Sequence, residues 1–180
     1  MATRTLYRID QRPFAEGDTM PPSGDHMEDL SGKQQFAERI LRREAGDRAN
    51  LRADFLFTFD NLVWAKRYFI GKDSRTLYEL EVDEADIIHS ADMMLFNAIA
   101  DHGQDDEQAK EHASRYWQSD RGKGDKVEHI CKAAKVTKVL YTPGEKDALK
   151  AEIYGLKRAE HDDAEFYANL FNQVMSPESK

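Results

Sequence analysis

Apolar and acidic residues alternate along Leu77-Tyr78-Glu79-Leu80-Glu81-Val82, and this period of two predicts a strand with one wet face. The aromatic-rich run Phe55-Leu56-Phe57-Thr58-Phe59 predicts a short buried strand that stops at Asp60-Asn61, either of which can cap the next helix. That helix carries Leu62, Val63, Ala65, Lys66, Tyr68 and Phe69 and ends near Gly71. Upstream, residues 4–10 read as a strand, and the Gly-, Pro- and Asp-rich stretch from Gly17 to Asp25 reads as a loop. Ser31 with Gln34 makes a capping-box signature, after which Phe36, Ile40 and Leu41 share one face of a helix over about 32–46. Strand, helix, strand, helix, strand are therefore legible before residue 85.

Beyond an acidic, turn-like segment at 101–107, a helix is predicted on Ala109, Ala113, Tyr116 and Trp117. From Glu128 to Tyr141 the pattern is a polar lead-in followed by one strand, with Val136 and Leu140 flanking its core. Thr142-Pro143-Gly144-Glu145 combines an N-cap, a first-turn proline and the acid of a capping box, so a helix starts there. Leu149, Ile153 and Leu156 share a face, and Phe166, Leu170, Phe171 and Val174 repeat it after a polar interval, which predicts a C-terminal helical pair or one interrupted helix. No repeat, low-complexity tract or linker divides the chain, so the expectation is one α+β domain over residues 1–180.

Composition narrows the function classes. A chain of 180 residues buries enough surface to fold without a metal or disulfide staple, and the single cysteine, Cys131, cannot form an internal bridge. The 34 acidic residues outnumber 26 basic ones, which argues against a nucleic-acid partner bound through phosphates. No apolar run approaches the roughly 18 residues of a spanning helix, and the first 20 residues lack an apolar signal core. The expectation is a soluble chain, off the membrane and cytoplasmic in the cell that makes it. The six histidines show no pair at metal-ligand spacing, so no metal site is predicted; phosphate-loop and Rossmann glycine patterns are also missing.

Candidate chemistry begins at Leu6-Tyr7-Arg8-Ile9-Asp10-Gln11-Arg12-Pro13, because an arginine and an aspartate two apart on an apolar strand are costly to bury without a purpose or a partner. An edge strand with Arg8 and Asp10 turned outward, closed by Pro13, is the bland reading of the same residues. The order aromatic, Arg, any residue, Asp, any residue, Arg-Pro resembles the first strand of the cholera and pertussis toxin catalytic subunits, which are mono-ADP-ribosyltransferases. Phe57-Thr58-Phe59-Asp60-Asn61-Leu62-Val63-Trp64-Ala65 resembles that family's Ser-Thr-Ser strand running into a helix, and Arg75 to Val82 resembles the strand that follows. Glu128 best matches the family's catalytic glutamate. The resemblance covers roughly residues 4–142. It departs at Phe57 and Phe59, which replace two serines, and at Lys126, which stands where arginine-modifying members carry a second acid.

The resemblance implies an ADP-ribosyltransferase-like split β-sheet core flanked by helices, with a C-terminal helical segment, and NAD as co-substrate. It implies that Glu128 and Arg8 carry catalysis, with Tyr7, Arg8, Asp10, Thr58 and Phe59 binding the cofactor; Asp120 and Asp125 are the fallback acids. The implied partner is a protein acceptor, and the setting is an effector, toxin or phage-type modifier that acts where it is made or after delivery into a host cell. NAD hydrolysis, and a scaffold that binds a partner without turnover, are the alternatives. Because strand residues alternate in direction, Thr58 and the two phenylalanines face opposite ways: if Thr58 points into the cleft, both rings belong to the core.

Overall fold

Seven antiparallel strands form one sheet in the computed structural model, which describes residues 2–25, 27, 30–122, 124 and 126–154. The strands are β1 Thr3–Asp10, β2 Thr19–Met20, β3 Leu56–Phe59, β4 Thr76–Asp83, β5 Ile87–Asp92, β6 Val127–Cys131 and β7 Ala134–Tyr141, in the order β2-β7-β4-β1-β3-β6-β5. Six helices accompany them: α1 Gly32–Glu44, α2 Leu51–Asp54, α3 Leu62–Ile70, α4 Met93–His102, α5 Glu107–Trp117 and α6 Lys146–Tyr154. The class is α+β, and none of these helices is long and apolar enough to cross a membrane. Residues 1–146 form one compact unit, and the described residues 147–154 belong to a second. The predicted apolar positions Leu156, Phe166, Leu170, Phe171 and Val174 lie outside the described residues.

Local signals carry most of the helix boundaries. Gln34 Oε1 accepts from the Ser31 backbone N–H at the start of α1, and Asn61 Oδ1 accepts from the N–H groups of Val63 and Trp64 at the start of α3. Glu145 answers Thr142 in the same way ahead of α6. The buried stripe of α1, with Ala37, Ile40 and Leu41, packs with Leu95, Phe96 and Ile99 of α4 and Tyr116 and Trp117 of α5. A second core joins Leu6, Leu56, Leu80, Val82 and Val136 across β1, β3, β4 and β7. Each such side chain stabilises the fold by roughly 1.5–3 kcal/mol through burial.

Three features differ from the sequence pattern. Glu128 does not lead into a strand; it lies inside β6, and β7 is a separate strand after a turn at Lys132 and Ala133. The alternation is hidden there because both Glu128 and His129 are buried, each with polar neighbours in place of water. β5 and α4 have no counterpart in the pattern, since residues 87–100 are apolar with few breaks and only the Asp92 cap, accepting from Met94 N at 2.8 Å, marks where strand becomes helix. The loop after β1 contains β2, whose Thr19 and Met20 pair with Lys135 and Ala134 of β7.

Candidate functional site

β1 pairs with β4 along its whole length, from Thr3↔Asp83 to Asp10↔Thr76, but meets β3 only at Tyr7↔Phe59. The two strands part beyond that point, and Arg8 fills the gap. Its Nη1 donates to the Phe57 carbonyl at 2.8 Å, its Nε to Asp10 Oδ2 at 2.8 Å and its Nη2 to Ser23 Oγ at 3.1 Å. A strand carbonyl left without a strand partner is thus satisfied by a side chain. A guanidinium has five N–H groups, so two of those on Arg8 are not used by these bonds. Burial pulls the Arg8 pKa down, with Asp10 opposing it.

Asp10 is the anchor of this corner. Its Oδ1 accepts from the Arg12 backbone N–H at 2.9 Å and from Arg12 Nε at 3.0 Å, while Oδ2 accepts from Arg8 and, at 2.9 Å, from Arg12 Nη2. Burial alone would raise its pKa, but the hydrogen bonds and charges of Arg12 and Arg8 outweigh burial and hold it at about 2. A carboxyl depressed in the folded state stabilises the protein above its unfolded value and loses that contribution as pH falls through the folded one. Asp10→Asn is therefore expected to cost about 2 kcal/mol at neutral pH, and the gap between wild type and variant should close between about pH 4 and pH 2. Urea unfolding at stepped pH reads this directly; a gap independent of pH would refute it.

At the parting of the strands lies a pocket of about 190 Å³, with Arg8, Phe57, Phe59, Tyr68, Arg52 and Glu128 on its walls. Phe59 and Tyr68 stack, with ring centroids 5.4 Å apart. Glu128 Oε1 accepts from Tyr116 Oη at 2.6 Å and from Arg52 Nη1 at 2.8 Å. Among the described residues Oε2 makes no hydrogen bond. Arg52, from the short α2, also donates through Nε to Glu38 Oε2 at 2.9 Å and lies over the rings of Phe57, Phe96 and Tyr116. Burial works against the Arg52 charge, yet Tyr116, Glu128 and Glu38 together leave its pKa above the ordinary value. Burial pushes the Tyr116 phenol well up, so it remains a donor to Glu128. His89 backs Tyr116, with its ring nitrogen Nε2 2.9 Å from the Tyr116 carbonyl oxygen.

Of the predicted residues, Arg8, Phe59 and Glu128 meet at this pocket, and Thr58, Tyr7 and Asp10 do not line it. Thr58 faces the other side of the sheet, where its Oγ1 donates to the His129 carbonyl at 3.3 Å; the predicted alternation holds with the opposite sense, rings inward and hydroxyl away. Tyr7 sits across from Phe59 and Glu79 on the ladder, and Asp10 acts on the pocket only through Arg8. β1 is an interior strand of the sheet, and Arg8 and Asp10 are both buried, which excludes the edge-strand reading. Asp120 pairs with Arg115 and caps Gly122 away from the pocket, and Asp125 lies outside the described residues. Lys126 lies with its ammonium 3.9 Å from the centroid of Trp64.

Sequence reading missed Arg52, Glu38, Tyr68 and the hydroxyl role of Tyr116. Glu38 carried one signal, an acid one position from Ala37 on the apolar stripe of α1, where burial without a cation is unfavourable. Arg52 carried none. Chemically, the pocket pairs a fixed carboxylate with a guanidinium between aromatic walls, which suits a ligand with a flat ring and a site of developing positive charge. Among the described residues no group of three or more His, Cys, Asp or Glu could hold a metal ion. In comparisons with known proteins, no family model and no curated protein sequence matches this chain.

Proposed function

We propose that the protein is a mono-ADP-ribosyltransferase that cleaves the nicotinamide–ribose bond of NAD and passes ADP-ribose to a protein acceptor. The observation that carries this reading is the convergence of Arg8 and Glu128 on one aromatic-walled pocket, although the two residues lie far apart in the chain. Loss of nicotinamide leaves positive charge on the ribose, and a carboxylate held beside the anomeric carbon stabilises it, as in glycoside hydrolysis. The leaving group departs as a neutral pyridine from a cationic one, so no strong general acid is needed. A cavity of about 190 Å³ is below the roughly 300–1,000 Å³ of typical small-molecule sites, so it takes the nicotinamide end while the phosphates run along a rim where Lys72 and Arg75 add positive charge.

A second reading, a binding module without turnover, is favoured by one feature: Arg52 and Tyr116 already occupy Oε1 of Glu128. Labelled NAD incubated with the protein and a cell lysate separates the readings. A labelled acceptor band with nicotinamide release is the expected result. Nicotinamide release at a rate that lysate does not change would make the protein an NAD hydrolase, and calorimetric titration without heat of NAD binding would support the module. Arg8→Ala is expected to weaken NAD binding by about 1.5–3 kcal/mol, the worth of a charge-assisted contact, in the same titration.

A further inference from the structure

On the opposite face of the sheet, the ladder brings Thr58, His129 and Ser90 into one row, because Thr58 pairs with His129 and His129 with Ser90. Ser90 Oγ lies 2.7 Å from His129 Nδ1, and on the other side of the ring His129 Nε2 lies 3.4 Å from Asp60 Oδ2. His129 is fully buried, and both its Nε2 and Asp60 Oδ1 are buried without a hydrogen-bond partner. Unpaired buried polar atoms cost roughly 1–3 kcal/mol each, and native structures carry few of them outside working sites. When Ser90 donates to Nδ1, the ring proton resides on Nε2 and faces the Asp60 carboxylate.

We propose that Ser90, His129 and Asp60 form a second site: a serine nucleophile, its general base and the acid that orients the base, acting on carboxylic esters that bear a negative charge. A nucleophile in contact with a base that is itself held by a third group is the arrangement that defines such sites, whatever their order in the chain. At 3.4 Å the two atoms make no hydrogen bond, and catalytic contacts are often this loose or poorly aligned before a ligand closes them. Ser90, itself buried, is one of the residues on the wall of a groove of about 350 Å³ that Arg4, Ser119 and Arg121 also line. That volume lies within the range of small-molecule sites. The two guanidinium groups set the preference for an anionic substrate, and Arg4, with Nη2 3.6 Å from Asp60 Oδ2, ties the groove to the relay.

In the first step the Ser90 proton passes to His129 Nδ1 as Oγ bonds to the acyl carbon, and the leaving alcohol oxygen departs with that proton. Water, deprotonated by the same nitrogen, then cleaves the acyl-serine to free acid and serine. Nothing but ester and water is consumed. The test uses the full chain with a fluorophosphonate probe, adducts being mapped by mass spectrometry, together with hydrolysis of p-nitrophenyl succinate and p-nitrophenyl acetate. An adduct on Ser90 is expected, with labelling about 10²-fold slower in His129→Gln and slowed in Asp60→Asn, and a preference for the anionic ester that Arg121→Ala reduces. Wild-type protein with native circular dichroism and no adduct on Ser90 would overturn the proposal, whether or not the buried histidine variant folds. Labelling of Ser90 at an unchanged rate in a folded Asp60→Asn protein would remove the relay. Neither outcome bears on NAD turnover.

Discussion

Replacing Glu128 by glutamine is expected to lower nicotinamide release from NAD by about 10²–10³-fold while leaving NAD affinity within about threefold. The amide is nearly isosteric, and its oxygen can still accept from Tyr116 Oη and Arg52 Nη1, which now meet Oε1 at 2.6 and 2.8 Å. What disappears is the negative charge. In the ground state the positive charge is spread over the pyridinium ring, and as the bond breaks it moves onto the ribose beside the carboxylate, so the loss falls mainly on kcat. Initial rates of nicotinamide release, with calorimetry for affinity, make the comparison. A drop of less than about tenfold would refute the role of Glu128, and with it the proposed chemistry.

Arg52→Met is expected to produce the largest loss of stability of any single change in the pocket, about 3–5 kcal/mol. The methionine fills part of the space and keeps contact with Phe57, Phe96 and Tyr116, so lost volume is not the main cost. Glu38 keeps Arg42, whose Nε lies 2.9 Å from Oε1, but Glu128 loses the cation on which its burial depends. Removing that charge as well should restore part of the loss: Arg52→Met combined with Glu128→Gln is expected to be more stable than Arg52→Met alone, with a coupling of about 1 kcal/mol or more. Urea unfolding midpoints of the four proteins complete the cycle. An Arg52→Met cost below about 1 kcal/mol would show that the pair contributes little to the fold.

Glu128 therefore has two properties that pull against each other. Arg52 and Tyr116 keep its carboxylate fixed through one oxygen, while the other makes no hydrogen bond among the described residues. Preorganisation of this kind needs a cation close enough to permit burial and placed so that the second oxygen is not consumed.

The parts of this arrangement that could be read in advance share one property, short range along the chain. The caps at Ser31, Asn61 and Thr142 act on backbone groups within three residues, and the Arg8–Asp10 pair closes over two. Burial of Arg8 follows from the interior place of β1 between β4 and β3, which the sequence alone left open against an edge strand. The Arg52–Glu128 contact spans 76 positions and Arg52–Glu38 spans 14, and nothing in the composition of α2 marks Arg52 for either. The β5–α4 junction was hidden for another reason, since a mainly apolar stretch with few polar breaks fits strand or helix equally until packing divides it.

By itself the sequence determined the α+β class and more than half of the strands and helices, while Arg8 and Glu128 were offered as site residues by the resemblance and lie on the walls of one pocket. Only the tertiary structure decided which face of β3 looks into the pocket, turning Phe57 and Phe59 inward and Thr58 toward His129. It also decided that Glu128 is held by Arg52 and Tyr116, and that Ser90, His129 and Asp60 stand in line. The reason is physical: alternation along a strand sorts side chains into two sets, but only the layer packed against each face, built from residues distant in the chain, decides which set is enclosed.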